Sequence, residues 1–328
     1  MHRLLSPSRR GALLIACVAL ALSACGDDDP AGDDSRWPTS DDPVDRTGLV
    51  WAQGDTVHLG DGTTIATDEP IAGYVVAGDG IVYVPEDSTQ VKIATPEGVE
   101  ATGAHADPTS LSASPDGSHV GFMDLTTGER DGYDTPLATV VVVDLTTGEE
   151  IVRSTTGMGD PDTDDLADLY EDADPGLIGL TDSAAYVSAT TGEYHVYDLD
   201  TGEHSVVPKV GSIRDLDWYR DLDLPDADTN PSGTWTVVNP SDGGPPRFVP
   251  TTGRPVVTHP PLDGLYLNSW LDDDTAVGTR TTPEGVFTLL TCSLPSGRCE
   301  TVPGTESGAL LPERGAGPIV FPEGSAQP

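Results

Sequence analysis

From about Gly48 onward the chain repeats one module: a short β-rich run, a turn containing glycine, and a second β run that often closes on Val-Pro. The clearest copies are residues 140–152, which run Val-Val-Val-Val-Asp-Leu-Thr-Thr-Gly-Glu-Glu-Ile-Val, and residues 195–208, which pass through Asp198-Leu-Asp-Thr-Gly202 to Val207-Pro208. Weaker copies surround Gly243 and Gly297, and two earlier turns lie at Gly62 and Gly98. The intervals between these glycines are 36, 50, 54, 41 and 54 residues. Each Gly suits a turn position that needs φ > 0, and the Asp or Asn upstream can bond its own backbone. No long stretch shows helical periodicity. With 37 Gly, 29 Pro and only 5% aromatic residues, the chain suits short strands and many turns, and argues against a helical bundle or coiled coil.

A β-built period near 40–50 residues predicts an all-β fold, a β-propeller whose blades are four-stranded antiparallel sheets. One such sheet cannot cover both its faces, whereas sheets stacked around an axis cover one another and leave only short edges. Six turns give six blades; seven is the alternative, because residues 209–235 are irregular. The first blade, from Gly48 through Ile65, is one strand short. Gly308-Ala-Leu-Leu or Pro318-Ile-Val-Phe, near the C-terminus, is expected to supply the missing strand.

The segment Leu111-Ser-Ala-Ser114-Pro115-Asp116-Gly117 leads directly into a β run. It is similar to the WD40-like repeats of TolB-type propellers, in which Ser-Pro-Asp-Gly turns between a blade's first two strands. A partial echo stands at Asp272-Asp-Asp-Thr-Ala-Val-Gly. The resemblance spans roughly residues 48–305 and is one of architecture. The chain has neither the Trp-Asp dipeptide nor the aromatic repeat of quinoprotein dehydrogenases, so it implies none of their activities.

The N-terminus reads as an address. Arg3, Arg9 and Arg10 precede an apolar run over residues 11–22, and Leu22-Ser23-Ala24-Cys25 follows. A charged start, a short apolar core and small residues before the cut describe a signal peptide, here residues 1–24. The run is too short to span a bilayer, which takes about 20 residues. Leu-Ser-Ala-Cys resembles the lipobox of bacterial lipoproteins, which implies that Cys25 is acylated and begins the mature chain. Ser8-Arg9-Arg10 is open to two readings, a twin-arginine export signal or a plain basic segment, and Ala12 departs from the former pattern. Residues 25–46 are expected to form a disordered acidic linker, extended by self-repulsion, ahead of a single propeller domain over 47–328.

Charge narrows the partners. The chain carries 16 basic and 55 acidic residues, net −39; removing residues 1–24, with three Arg and no acid, leaves 13 against 55, net −42. Such a surface repels nucleic-acid phosphates and anionic headgroups alike, so nucleic acid is excluded and bilayer contact falls to the acyl anchor. Only two of the 16 basic residues are Lys, a bias of high-GC, actinobacterial type.

Two cysteines remain in the body, Cys292 and Cys299, flanking a Pro-Ser-Gly turn. Two short strands there bring them face to face, and an oxidising compartment favours a disulfide. A metal site is the weaker reading, since neither His nor further Cys stands near to complete four ligands.

Signatures of nucleophile elbows, zinc proteases, dinucleotide sites and P-loops are absent. His195 and His204 flank the turn at Gly202, and a surface cross-strand pair accounts for them. Asp160, Asp162, Asp164, Asp168 and Glu171 occupy positions 1, 3, 5, 9 and 12 of a twelve-residue window, the ligand spacing of an EF-hand Ca²⁺ loop. Position six is Asp165 instead of Gly, and the competing reading is a solvated inter-blade loop. No other cofactor is indicated.

These features point to a non-enzymatic, lipid-anchored propeller at the extracytoplasmic face of the membrane, a binding or scaffold module for an unidentified protein or small molecule. A basic protein or a cation fits the charge. The alternative is a secreted hydrolase or lyase acting on saccharide or peptide from the central channel, and a third reading is a purely structural envelope component.

Overall fold

The computed structural model describes residues 37–40, 43–44, 48–208, 229–239, 244, 246–252, 256–257, 264–281, 285–294, 296–306 and 308–313. Among these, the strands form six antiparallel sheets, each built from consecutive strands. Blade 1 holds β1 (Trp51–Gln53), β2 (Thr56–His58) and β3 (Thr64–Ala66). Blade 2 holds β4 (Ile71–Ala77), β5 (Gly80–Pro85), β6 (Gln90–Thr95) and β7 (Gly98–His105). Blade 3 holds β8 (Ser112–Ala113), β9 (His119–Asp124), β10 (Thr139–Asp144) and β11 (Glu149–Ser154). The short helix α1 (Leu166–Ala173) then precedes blade 4, with β12 (Gly176–Leu180), β13 (Ala184–Ser188), β14 (Glu193–Asp198) and β15 (His204–Pro208). Blade 5 holds β16 (Trp235–Val238), β17 (Arg247–Pro250) and β18 (Val256–Val257). Blade 6 holds β19 (Leu265–Trp270), β20 (Thr275–Thr281), β21 (Phe287–Ser293) and β22 (Arg298–Thr301).

The core lies in slabs between successive sheets. One slab joins blades 1 and 2 through Val57, Ile65, Tyr74, Ile81 and Tyr83. Others join blades 2 and 3 through Val82, Phe122 and Val141, blades 3 and 4 through Val140, Leu177 and Val187, and blades 5 and 6 through Phe248 and Leu267. Because neighbours cover both faces, β5 and β10 are apolar and buried almost throughout instead of alternating.

Both short blades gain a fourth member at the inner edge. Leu310 pairs antiparallel with Ala52 through two hydrogen bonds of 2.8 and 2.9 Å, and Thr229 bridges to Thr236. The expected C-terminal closure is therefore made by the segment around Leu310; Pro318–Phe321 lies outside the described residues. Consecutive meanders of three or four strands, packed face to face from blade 1 to blade 4 and from blade 5 to blade 6, with the segment around Leu310 paired to blade 1, define the fold: it is a β-propeller, with six blades among the described residues.

The connections sort onto two rims. Turns between first and second strands, and between third and fourth, share the lower rim; the longer connections share the upper rim. Lower-rim turns bond one blade to the next: Gly78 N–H to Gly117 O, Asp116 N–H to Asp182 Oδ1 at 3.0 Å, and Ser232 N–H to Asp273 Oδ1 at 2.7 Å.

Six residues of the expected acidic linker are described, and several of them pack on the wheel. Trp37 is 4% exposed and packs on Phe122, Ser40 donates to Leu145 O, and Val44 donates to Gly78 O. Residues 37–40 and 43–44 thus strap blades 2 and 3 together at the lower rim, because Trp37 brings apolar area that the flanking acids lack. Gly148 (φ 72°) makes room for this strap: a Cβ there would stand 2.6 Å from Trp37 O.

Candidate functional site

The upper rim is dominated by two packed segments, the connection 125–138 in blade 3 and the segment 155–175 that carries α1. Asp131 joins them. Its carboxylate accepts from Tyr133 N–H and Thr135 N–H and, across the segments, from Leu166 N–H at the start of α1 at 2.8 Å. Burial works to raise the Asp131 pKa, but these three donors outweigh it and hold the group below the ordinary carboxylate range. Tyr170 Oη accepts from Ala138 N–H, and Arg130 donates to Asp134 O and Thr126 O. The result is a stiff acidic knob with Tyr133, 75% exposed, at its tip.

A second feature lies beside the inner strands. Beyond Leu310 the chain crosses β4, where Glu313 N–H donates to Tyr74 O at 2.7 Å and Tyr74 Oη donates to Leu310 O. Burial, then the negative charge of Asp107 on the next blade, pushes the Glu313 carboxyl up to about 7. Asp107 itself accepts from Thr109 N–H and Oγ1. Glu313 is therefore an acid whose burial and acidic neighbour favour its protonated form near neutral pH. Nothing in the local sequence around Glu313 signals this, since its environment is assembled from three distant segments.

The residues expected from sequence separate clearly. Cys25 lies outside the described residues. Cys292 and Cys299 are paired across β21 and β22 and joined by a disulfide. The five calcium candidates do not converge, and among the described residues no group of three His, Cys, Asp or Glu is placed to hold a metal. Asp164 accepts from Asp160 N–H, Asp160 accepts from Asp162 N–H, and Asp168 and Glu171 ride on α1. Asp165, where an EF-hand loop turns on Gly, is instead the N-cap of α1 and accepts from Asp168 N–H. His195 and His204 do pair, at 3.0 Å between ring nitrogens, but His195 is buried at 4% exposure, not on the surface. Burial, then the His204 charge, lowers the His195 pKa. Ser114 is a turn residue, its Oγ donating to Asp116 and accepting from His119 N–H.

No family model and no curated protein matches the chain. Solved structures do. Its likeness to TolB from Acinetobacter baumannii has 16% identity and a TM-score of 0.41, over 81% of this chain and 66% of that one. A prolyl endopeptidase structure aligns at 12% identity and TM-score 0.42, over 85% of this chain and 51% of that one. An oligogalacturonate lyase in complex with manganese aligns at 12% identity and TM-score 0.30, over 75% and 69%. The chain thus spans about two thirds of the TolB chain and half of the endopeptidase. The fold assignment rests on the six sheets and their closure.

Proposed function

We propose that the protein is a lipid-anchored extracytoplasmic propeller that presents its upper rim as a binding module. The observation that carries this reading is where the chain joins the wheel. The strap formed by residues 37–40 and 43–44 docks at the lower rim, and it begins only twelve residues after Cys25. Twelve residues reach at most about 40 Å when extended. An acyl group on Cys25 would therefore keep the lower rim toward the bilayer and turn the long connections outward. The acidic residues between Cys25 and Trp37 act as the spacer. The test is metabolic labelling with palmitate in a bacterium that processes lipoproteins. Wild-type protein takes up label and sediments with membranes; Cys25→Ala takes up none and is recovered soluble. Equal labelling of both forms overturns the anchor.

A second reading has its own support: the Glu313–Asp107 pair beside the inner strands suits a general acid of a hydrolase or lyase working from the channel. Turnover of saccharide or peptide reporters by the wild type, lost in Glu313→Gln without loss of fold, would establish it. No turnover by the wild type removes it.

A further inference from the structure

The exposed apolar side chains are not scattered. Among the described residues, the large exposed hydrophobics are Leu125, Tyr133, Val206, Val238, Tyr266 and Phe287. Five of these stand on upper-rim connections or on the strand ends feeding them; Val206 alone lies along an outer strand. Two of the five, Leu125 and Tyr133, stand on the same connection of blade 3. Tyr133 is further distinguished because Asp131 and Arg130 hold the backbone of its loop, so only the side chain has to be ordered at contact.

The neighbouring charges decide what would cover it. Residues 48–208 contain 31 acidic and 3 basic residues. On α1, Asp168, Glu171 and Asp172 are exposed, and no basic residue occupies the last turn. Like charges at i, i+3 and i+4 repel, and acids near a helix C-terminus oppose its dipole. Asp165 and Asp168 suit the N-terminal end of this eight-residue helix, but the acids of its last turn are uncompensated, an imbalance that a cation laid along it would relieve. Tyr133 adds a π face on which a Lys or Arg can rest.

We propose that the upper rim of blade 3, formed by Leu125, Tyr133 and the outer face of α1, docks a basic polypeptide that also carries apolar side chains. The inference rests on the binding-module reading and adds its face and the chemistry of its partner. Full-length protein in nanodiscs is titrated calorimetrically at physiological salt with short peptides alternating Lys and Leu, Lys and Ser, or Glu and Leu. The Lys/Leu peptide binds, Lys/Ser binds more weakly and Glu/Leu does not bind. Tyr133→Ala and the pair Glu171→Gln, Asp172→Asn each weaken Lys/Leu binding roughly tenfold, while Val206→Ser leaves it unchanged. Bound peptide also slows amide exchange in α1. Equal affinities for Lys/Leu and Lys/Ser, or wild-type affinity in both upper-rim variants, overturn the proposal. Cross-linking in intact membranes separates the two readings. A partner captured equally by wild type and upper-rim variants keeps the module and moves its face, whereas no captured partner counts against the module itself.

Discussion

Glu313 shows how one side chain ties protonation to the closure of the fold. Its pKa is raised from the ordinary glutamate value to about 7, so the native state favours the neutral acid. Its own contribution is least unfavourable below the unfolded-state value near 4.5 and grows more unfavourable as pH rises toward 7, above which the full penalty applies. Glu313→Gln, which stays neutral, should therefore flatten this decline and stabilise the protein by about 1–3 kcal/mol at pH 8, with little effect at pH 4. Urea denaturation at the two pH values checks it, and an unchanged difference between them would refute it. Asp131 has the opposite sign. Asp131→Ala removes the acceptor of three backbone N–H groups and should lower the melting temperature. Neither residue is legible in sequence, where each is one acid among 55. Their identities come from the donors and charges that distant segments bring to them, and the same holds for the burial of His195.

Turns carry most of the information that sequence does reveal. In the Asp-x-x-Thr-Gly turns, Asp144 accepts from Thr146 N–H and Asp198 from Thr201 N–H, and Gly148 and Gly202 follow at positive φ. The glycine series marks the same third-to-fourth-strand turn in blades 1, 2, 3, 4 and 6. In blade 5 it slips: Gly243 falls between β16 and β17 and lies outside the described residues. The better marker there is Asn230-Pro-Ser-Gly-Thr234, a form of Ser-Pro-Asp-Gly in which Asn230 Oδ1 accepts from Thr234 and Trp235 N–H. Asn replaces both the Ser hydroxyl and the Asp carboxylate, so a search for the letters misses what a search for acceptors would find. Asn230→Ala should cost about 1–2 kcal/mol, because two part-buried backbone donors lose their shared acceptor. Donors that outweigh burial depress the pKa of Asp116 and Asp144, and those to Asp198 depress it as well. Their contribution is present above the unfolded-state value near 4 and is lost as pH falls below it. The β21–β22 hairpin should lose about 2 kcal/mol when Cys292 and Cys299 are both replaced by Ser, since the closed loop is small.

The whole wheel depends on joints at two places. At the lower rim the strap bolts blades 2 and 3 before the chain reaches blade 1, so a pull on the N-terminus is taken by Trp37 and its neighbours before it reaches the ring closure. At the closure, one segment holds blade 1 to its far end: Gln53 Nε2 donates to Gly308 O, Leu310 exchanges both backbone bonds with Ala52, and Glu313 reaches blade 2. The need for such a segment was readable, because the first module is a strand short; its reach onto β4 was not, since no residue pattern encodes it. Separating backbone from side chain tests the closure. Leu310→Ala keeps both ladder bonds and removes only a half-buried side chain, whereas Leu310→Pro also removes the N–H that donates to Ala52. The proline variant should therefore melt well below the alanine variant, by about 1–3 kcal/mol in the ledger of a lost ladder bond and a distorted edge. Deleting residues 305–328 should do at least as much damage as the proline. If both variants and the deletion melt with the wild type, the ring is not held by its C-terminal segment, and the slabs between successive blades alone keep the sheets together.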